Sequence, residues 1–272
     1  MNAHHPHRDG SSGFRRVEVV SEPRRRQRSP RVLFLGGNGH ASVRLDGVRQ
    51  SWSESQPVVQ AIPYPGFEGR PRARSFDEFL TELARSAHRR CDAIYATGIG
   101  GTLALALRAE GHLRKRPLIL QAPVLWGLED RRFPRIMRAI PGSAAMLRRL
   151  FRVPAIQRRF LGKYFTRPVA PAVATEFFDG YARCDAFADF FEWITPALLR
   201  RLEERFAAEP EALADITMWW GEKDKVVGLE ELRRTEDALG VEFPLRLFPA
   251  WGHYPMMEDP AGWLDALADA LA

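Results

Sequence analysis

Three short stretches of this 272-residue chain hold the residues best suited to chemistry. Gly252-His253-Tyr254-Pro255 carries a histidine, whose ordinary pKa suits it to take and return a proton near neutrality. Trp220-Gly221-Glu222-Lys223-Asp224 carries an aspartate 29 residues earlier. An aspartate that accepts from one imidazole nitrogen fixes the tautomer and leaves the other nitrogen as a base. The same pair also serves elsewhere as a buried structural hydrogen bond, so both readings stand at this point. The third stretch, Ala96-Thr97-Gly98-Ile99-Gly100-Gly101, is a glycine turn. If a helix follows it, the free amides and the helix dipole favour an anion or a polarised carbonyl oxygen.

These groups need strands that end beside one another. Arg31 to Leu35 is a short apolar run that stops at Gly36-Gly37, as suits a buried parallel strand. Pro57 to Ile62, Asp92 to Thr97, Pro117 to Gln121, Ile216 to Trp220 and Leu245 to Phe248 repeat the pattern, and Phe14 to Val20 reads as an edge strand. Ser75-Phe76-Asp77-Glu78 is a capping box that opens a helix with an apolar stripe at Phe76, Phe79, Leu80 and Leu83. Thr102 to Glu110, Leu229 to Leu239 and Ala261 to Leu271 read as further helices. Strand, glycine turn, helix, strand is a βαβ unit, so the sheet is parallel there. In such open α/β sheets, functional groups gather beyond the carboxyl ends of the strands, where all three stretches fall.

Between about residues 127 and 207 the strand signal disappears. The segment is helical pieces broken by prolines and rich in aromatics. The expected organisation is a disordered tail over 1–13, an α/β core over 14–126 and 208–272, and a helical cap over 127–207.

Composition bounds the function. The chain is 45% hydrophobic and 27% charged, which excludes a disordered or collagen-like protein. Cys91 and Cys184 form no CxxC motif and no Cys/His cluster, so neither a disulfide scaffold nor a structural zinc is expected. No metal or cofactor is called for. No apolar run approaches the roughly 18 residues that span a bilayer, and the first 13 residues lack the apolar core of a signal peptide. The expected address is therefore the cytoplasm. The net charge of +6 comes from an arginine excess. No nucleic-acid motif accompanies it, and it reads as a composition bias with arginines dispersed over solvated faces. A small-molecule partner is expected, with no nucleic acid and no integral membrane association.

Over most of residues 31–272 the sequence resembles the α/β-hydrolase superfamily, closest to the capped esterases, lipases and carbon–carbon bond hydrolases. Leu35-Gly36-Gly37-Asn38 resembles that family's oxyanion loop, and Tyr64-Pro65-Gly66-Phe67-Glu68-Gly69 its Pro-Gly-x-Gly loop with one extra residue. The order turn, Asp, His is the order of its triad. The resemblance implies an α/β-hydrolase fold with Asp224 and His253 as acid and base. The backbone amides of Asn38 and Ile99 would form the oxyanion hole, with Gly37, His40 and Trp126 beside the pocket.

The departure lies at the centre. Aligning Gly100 and Gly101 with the small residues after the family's nucleophile puts Gly98 at the nucleophile position, where no acyl-enzyme forms. Thr97 and Thr102 are the neighbouring hydroxyls. Thr97 would need small residues where Tyr95 and Ile99 stand, and Thr102 falls about a turn inside the helix. Glycine also removes the strain of the elbow, on the order of 1–3 kcal/mol. The expected function is a hydrolase-like enzyme acting on a small, largely apolar ester, thioester or carbonyl compound. His253 and Asp224 would activate water or remove a proton. The alternative is a non-catalytic ligand-binding or protein-interaction protein on the same fold.

Overall fold

A computed structural model describes residues 29–37, 45–87, 91–113, 116–128, 132–183 and 186–272. The expected tail and the edge strand at Phe14 to Val20 lie outside these residues. Among the described residues the sheet has six strands, β1 (Arg31–Leu35), β2 (Val58–Ala61), β3 (Ala93–Thr97), β4 (Leu118–Gln121), β5 (Ile216–Gly221) and β6 (Leu245–Phe248). They lie in the order β2-β1-β3-β4-β5-β6, with every neighbouring pair parallel. The central strands β3 and β4 are buried at every residue, which is why they read as unbroken apolar runs. The outer strands β2 and β6 alternate between half-buried and exposed.

Helices cover the sheet: α1 (Asp46–Ser51), α2 (Phe76–Ala87) and α3 (Ile99–Ala109) precede β4, and α10 (Glu230–Leu239), α11 (Pro255–Glu258) and α12 (Pro260–Leu271) follow β5. The start of α2 differs slightly from a full capping box. The Glu78 amide donates to Ser75 Oγ at 3.2 Å, but the Glu78 carboxylate reaches the Arg74 amide at 2.7 Å rather than that of Ser75. Helix α3 begins three residues earlier than Thr102, because the turn at Gly98 passes directly into helical geometry. Trp219, Trp263, Tyr95 and Phe34 stack edge to face in the buried centre.

Between β4 and β5 the chain leaves the sheet. Six helices fill this interval among the described residues: α4 (Arg132–Ala139), α5 (Ser143–Leu150), α6 (Pro154–Tyr164), α7 (Pro171–Arg183), α8 (Asp189–Trp193) and α9 (Pro196–Ala208). Pro154, Pro171 and Pro196 each stand at a helix start, where the missing amide costs nothing. Phe151, Phe160, Phe177, Phe178 and Tyr181 form one ring cluster, the insertion's own core. Arg72 pairs with the buried Asp189 carboxylate, and Thr166 Oγ1 donates to Glu258 at 2.6 Å, so the insertion is fixed to the loops above the sheet. Arginines are not evenly dispersed along the chain. Residues 131–175 contain eleven basic residues and no acidic one.

Candidate active site

Gly98 ends β3 and starts α3 in a single residue, with φ 55° and ψ −124°. Side-chain-bearing residues rarely adopt this conformation. The turn is held by its own backbone: the Gly98 amide donates to Gln121 O at 3.2 Å, and its carbonyl accepts from Gly101 at 3.0 Å and Val124 at 3.1 Å. The next glycines are steric requirements. A Cβ at Gly100 would lie 2.3 Å from the Leu35 carbonyl oxygen, and one at Gly101 would lie 2.6 Å from Cβ of Pro123. Both neighbouring hydroxyls are engaged away from the turn. Thr97 donates to the Gln121 side chain at 2.6 Å, and Thr102 donates to the Val124 carbonyl.

Across from this turn, Nδ1 of His253 lies 2.8 Å from Oδ2 of Asp224, with both side chains buried. The other oxygen, Oδ1, accepts from the amides of Val226 at 2.7 Å and Val227 at 3.0 Å. Burial by itself raises the Asp224 pKa. The adjacent His253 and the two amides outweigh it and hold the carboxyl below its ordinary range. An ionised Asp224 orients the imidazole with Nδ1–H toward it and Nε2 free. Tyr164 of α6 and Tyr254 pack edge-on against the imidazole, at ring separations of 5.5 and 4.7 Å.

Nε2 faces the glycine. A Cβ on Gly98 would stand 3.7 Å from it and 3.7 Å from Cα of Gly37. Ile99, first in α3, lines the same space, and its amide makes no hydrogen bond among the described residues.

The space is a cavity of about 460 Å³, within the range of small-molecule sites. Gly37, Gly98, Ile99 and His253 line it from the sheet side. Leu147, Phe151, Phe160, Phe187 and Phe191 line it from the insertion. Among the described lining residues there is no serine, threonine, cysteine or carboxylate. Asn38 and His40 lie outside the described residues. Trp126 corrects the sequence expectation: it is absent from the lining because its indole donates to Glu203 on α9. Sequence reasoning passed over Arg132, Lys163, Tyr164 and Lys225, all in the lining. Adjacency to Asp224 was a signal for Lys225; nothing local marked the other three. Among the described residues no cluster of histidine, cysteine and carboxylates could hold a metal. No helix there is long and apolar enough to cross a membrane.

The model of the alpha/beta hydrolase family matches residues 21–266. No curated protein matches the sequence. Solved structures similar to the chain include an esterase from Exiguobacterium antarcticum, at 14% identity and TM-score 0.66, covering 89% of this chain and 92% of that one. A carboxylesterase of the thaumarchaeon Nitrososphaera gargenis matches at 16% identity and TM-score 0.62, with 90% of each chain covered. An ancestral haloalkane dehalogenase matches at 19% identity and TM-score 0.59, covering 89% and 93%. At these identities the likeness shows the fold, a parallel sheet with flanking helices.

Proposed function

The chain belongs to the alpha/beta hydrolase family, and from that premise we propose a hydrolase in which His253 and Asp224 activate water without a covalent protein nucleophile. The carrying observation is the free Nε2 of a buried, aspartate-bound histidine facing an empty side-chain position at Gly98. The helical insertion acts as a cap whose rings enclose an apolar substrate. The esterase neighbours make an ester or thioester the natural substrate class.

In this reading a water occupies the space above Gly98. Its oxygen attacks the carbonyl carbon as Nε2 of His253 takes its proton. The resulting oxyanion is held by the Ile99 amide and the N-terminus of α3. The intermediate collapses by breaking the bond to the leaving oxygen or sulfur, and the imidazolium returns its proton to that atom. Asp224 stays ionised and stabilises the imidazolium.

The test is turnover of activated esters, in which intact mass should show no acyl adduct and no burst should precede steady state. His253→Ala should lower kcat/KM by about 10²- to 10⁴-fold. An acyl adduct on wild type, or turnover indifferent to His253→Ala, would overturn the mechanism. Absence of turnover across esters and thioesters would leave the fold as a ligand-binding one.

A further inference from the structure

Among the described residues the side-chain polar groups that line this cavity, apart from its histidine and tyrosines, carry one sign. Arg132 comes from α4, Lys163 from the last turn of α6 and Lys225 from the turn after β5, three separate elements that converge on one mouth. Among the described residues no acidic side chain lines the cavity with them. Among the described residues none of the three side chains makes an ion pair or a hydrogen bond. This is not the general state of basic residues in the insertion. Arg138 is used for folding, donating to the carbonyls of Phe191 and Ile194.

Scattered surface cations normally sit among acids that offset them. Here the stretch that supplies Arg132 and Lys163 holds none, since residues 131–175 carry eleven basic residues and no acidic one. Like charges held together oppose compaction and create a positive potential at the cleft they surround. An anionic ligand at the mouth relieves that repulsion and is drawn in by the same field. Behind the cations the wall is apolar, with Leu147, Phe151, Phe160, Phe187 and Phe191. Lys163 adjoins Tyr164, which packs on His253, and Lys225 adjoins Asp224. The positive mouth therefore opens beside the dyad rather than at a remote edge.

We infer that the cavity takes an amphipathic anion: an aliphatic or aromatic body under the insertion, and a carboxylate or phosphate held by Arg132, Lys163 and Lys225. Arginine grips such a group through two parallel hydrogen bonds, and the lysines add point charges. This rests on the reading of the cavity as the substrate chamber, and it narrows the substrate to an ester or thioester that carries a negative group near its carbonyl. Neutral esters of the same length should enter the apolar part but leave the mouth uncompensated.

Binding tests this apart from turnover. Full-length protein is titrated calorimetrically with decanoate, decyl phosphate, decan-1-ol and decyltrimethylammonium. The better of the two anions should bind at least about tenfold more tightly than the alcohol, the scale of one charged contact. That preference should shrink on raising salt to about 0.3 M, where charges more than about 6 Å apart are largely screened. The two anions separate a carboxylate-selective mouth from a phosphate-selective one. In the triple variant Arg132→Gln, Lys163→Gln, Lys225→Gln the preference should vanish while the alcohol binds as before. That retained alcohol binding also shows the cavity to be intact. His253→Ala should keep the preference, so a failure of the hydrolytic reading leaves this result standing. Equal binding of anion and alcohol by wild type, no binding of any probe, a preference that survives the triple variant, or one abolished by His253→Ala alone would overturn the inference.

Discussion

The sheet core and the helical insertion meet at one cavity but treat charge in opposite ways. Within residues 127–207 there are 15 basic and 9 acidic residues, and outside them 25 of each, so the net +6 belongs to the insertion. In the core, several buried polar groups are bonded individually. The Arg108 guanidinium, 2% exposed, donates to the carbonyls of Ala214 at 2.6 Å, Arg116 at 2.5 Å, Ala212 at 3.3 Å and Leu113 at 3.4 Å. Glu231 accepts from the amides of Gly127 at 2.8 Å and Leu125 at 3.1 Å. The insertion's Arg132 and Lys163, with Lys225 from the core, instead line the cavity with no acidic side chain among the described lining residues. Core residues are set by the needs of folding.

The largest break in this comparison is expected at Gly100. Its Cβ would press into the Leu35 carbonyl oxygen, which β1 cannot move without losing its ladder. Gly100→Ala should cost about 3 kcal/mol or more, read as a lower urea midpoint. A loss under about 1 kcal/mol would show the elbow to be looser than the geometry implies. Next comes Glu231→Ala, which strands two buried amides where the chain leaves the sheet for the insertion. A cost of about 2 kcal/mol is expected from two unsatisfied donors. If stability is unchanged, the junction does not depend on the core's individual bonding.

A pH scan sharpens the same contrast. Asp224 has a depressed pKa in the folded state, so it binds fewer protons than its unfolded counterpart. The stability it contributes is fully present above the ordinary aspartate pKa of about 3.9 and is lost as pH falls through the lowered value. Asp224→Asn should therefore flatten the acid limb of stability against pH by up to one proton's slope. An unaltered limb would remove Asp224 from the buried, ionised role.

The residues also show why the core was legible in the sequence and the insertion less so. Strand β6 was readable to the residue, and β3 and β4 to within one, because full burial or alternation writes itself into side-chain polarity. The elbow was legible because sterics leave few choices at Gly100 and Gly101. His253 and Asp224 were found from order and spacing. Arg132, Lys163 and Tyr164 were not, because their meaning depends on α4 and α6 folding over the sheet, a long-range packing that no local pattern encodes. Trp126 was misplaced for the same reason: its partner, Glu203, lies 77 residues away.

Gly98→Ser is expected to have the smallest effect on stability and the sharpest effect on chemistry. Among the described residues the new Cβ meets Cα of Gly37 and Nε2 of His253, each at 3.7 Å, which is ordinary contact. The cost is thus confined to a side chain at φ 55°, about 1 kcal/mol. Its hydroxyl would point into the space assigned to water, within reach of Nε2. If His253 is poised as a base, the serine becomes a nucleophile. The variant should then label with a fluorophosphonate and give a burst of product from an activated ester. The water-dependent reaction of wild type should fall at the same time, because the serine takes the water's place. A stably folded variant with neither label nor burst would mean that Nε2 and the Ile99 amide are not aligned for attack at a carbonyl. The insertion's cations would then describe a binding site over a core that keeps the family's geometry without its chemistry.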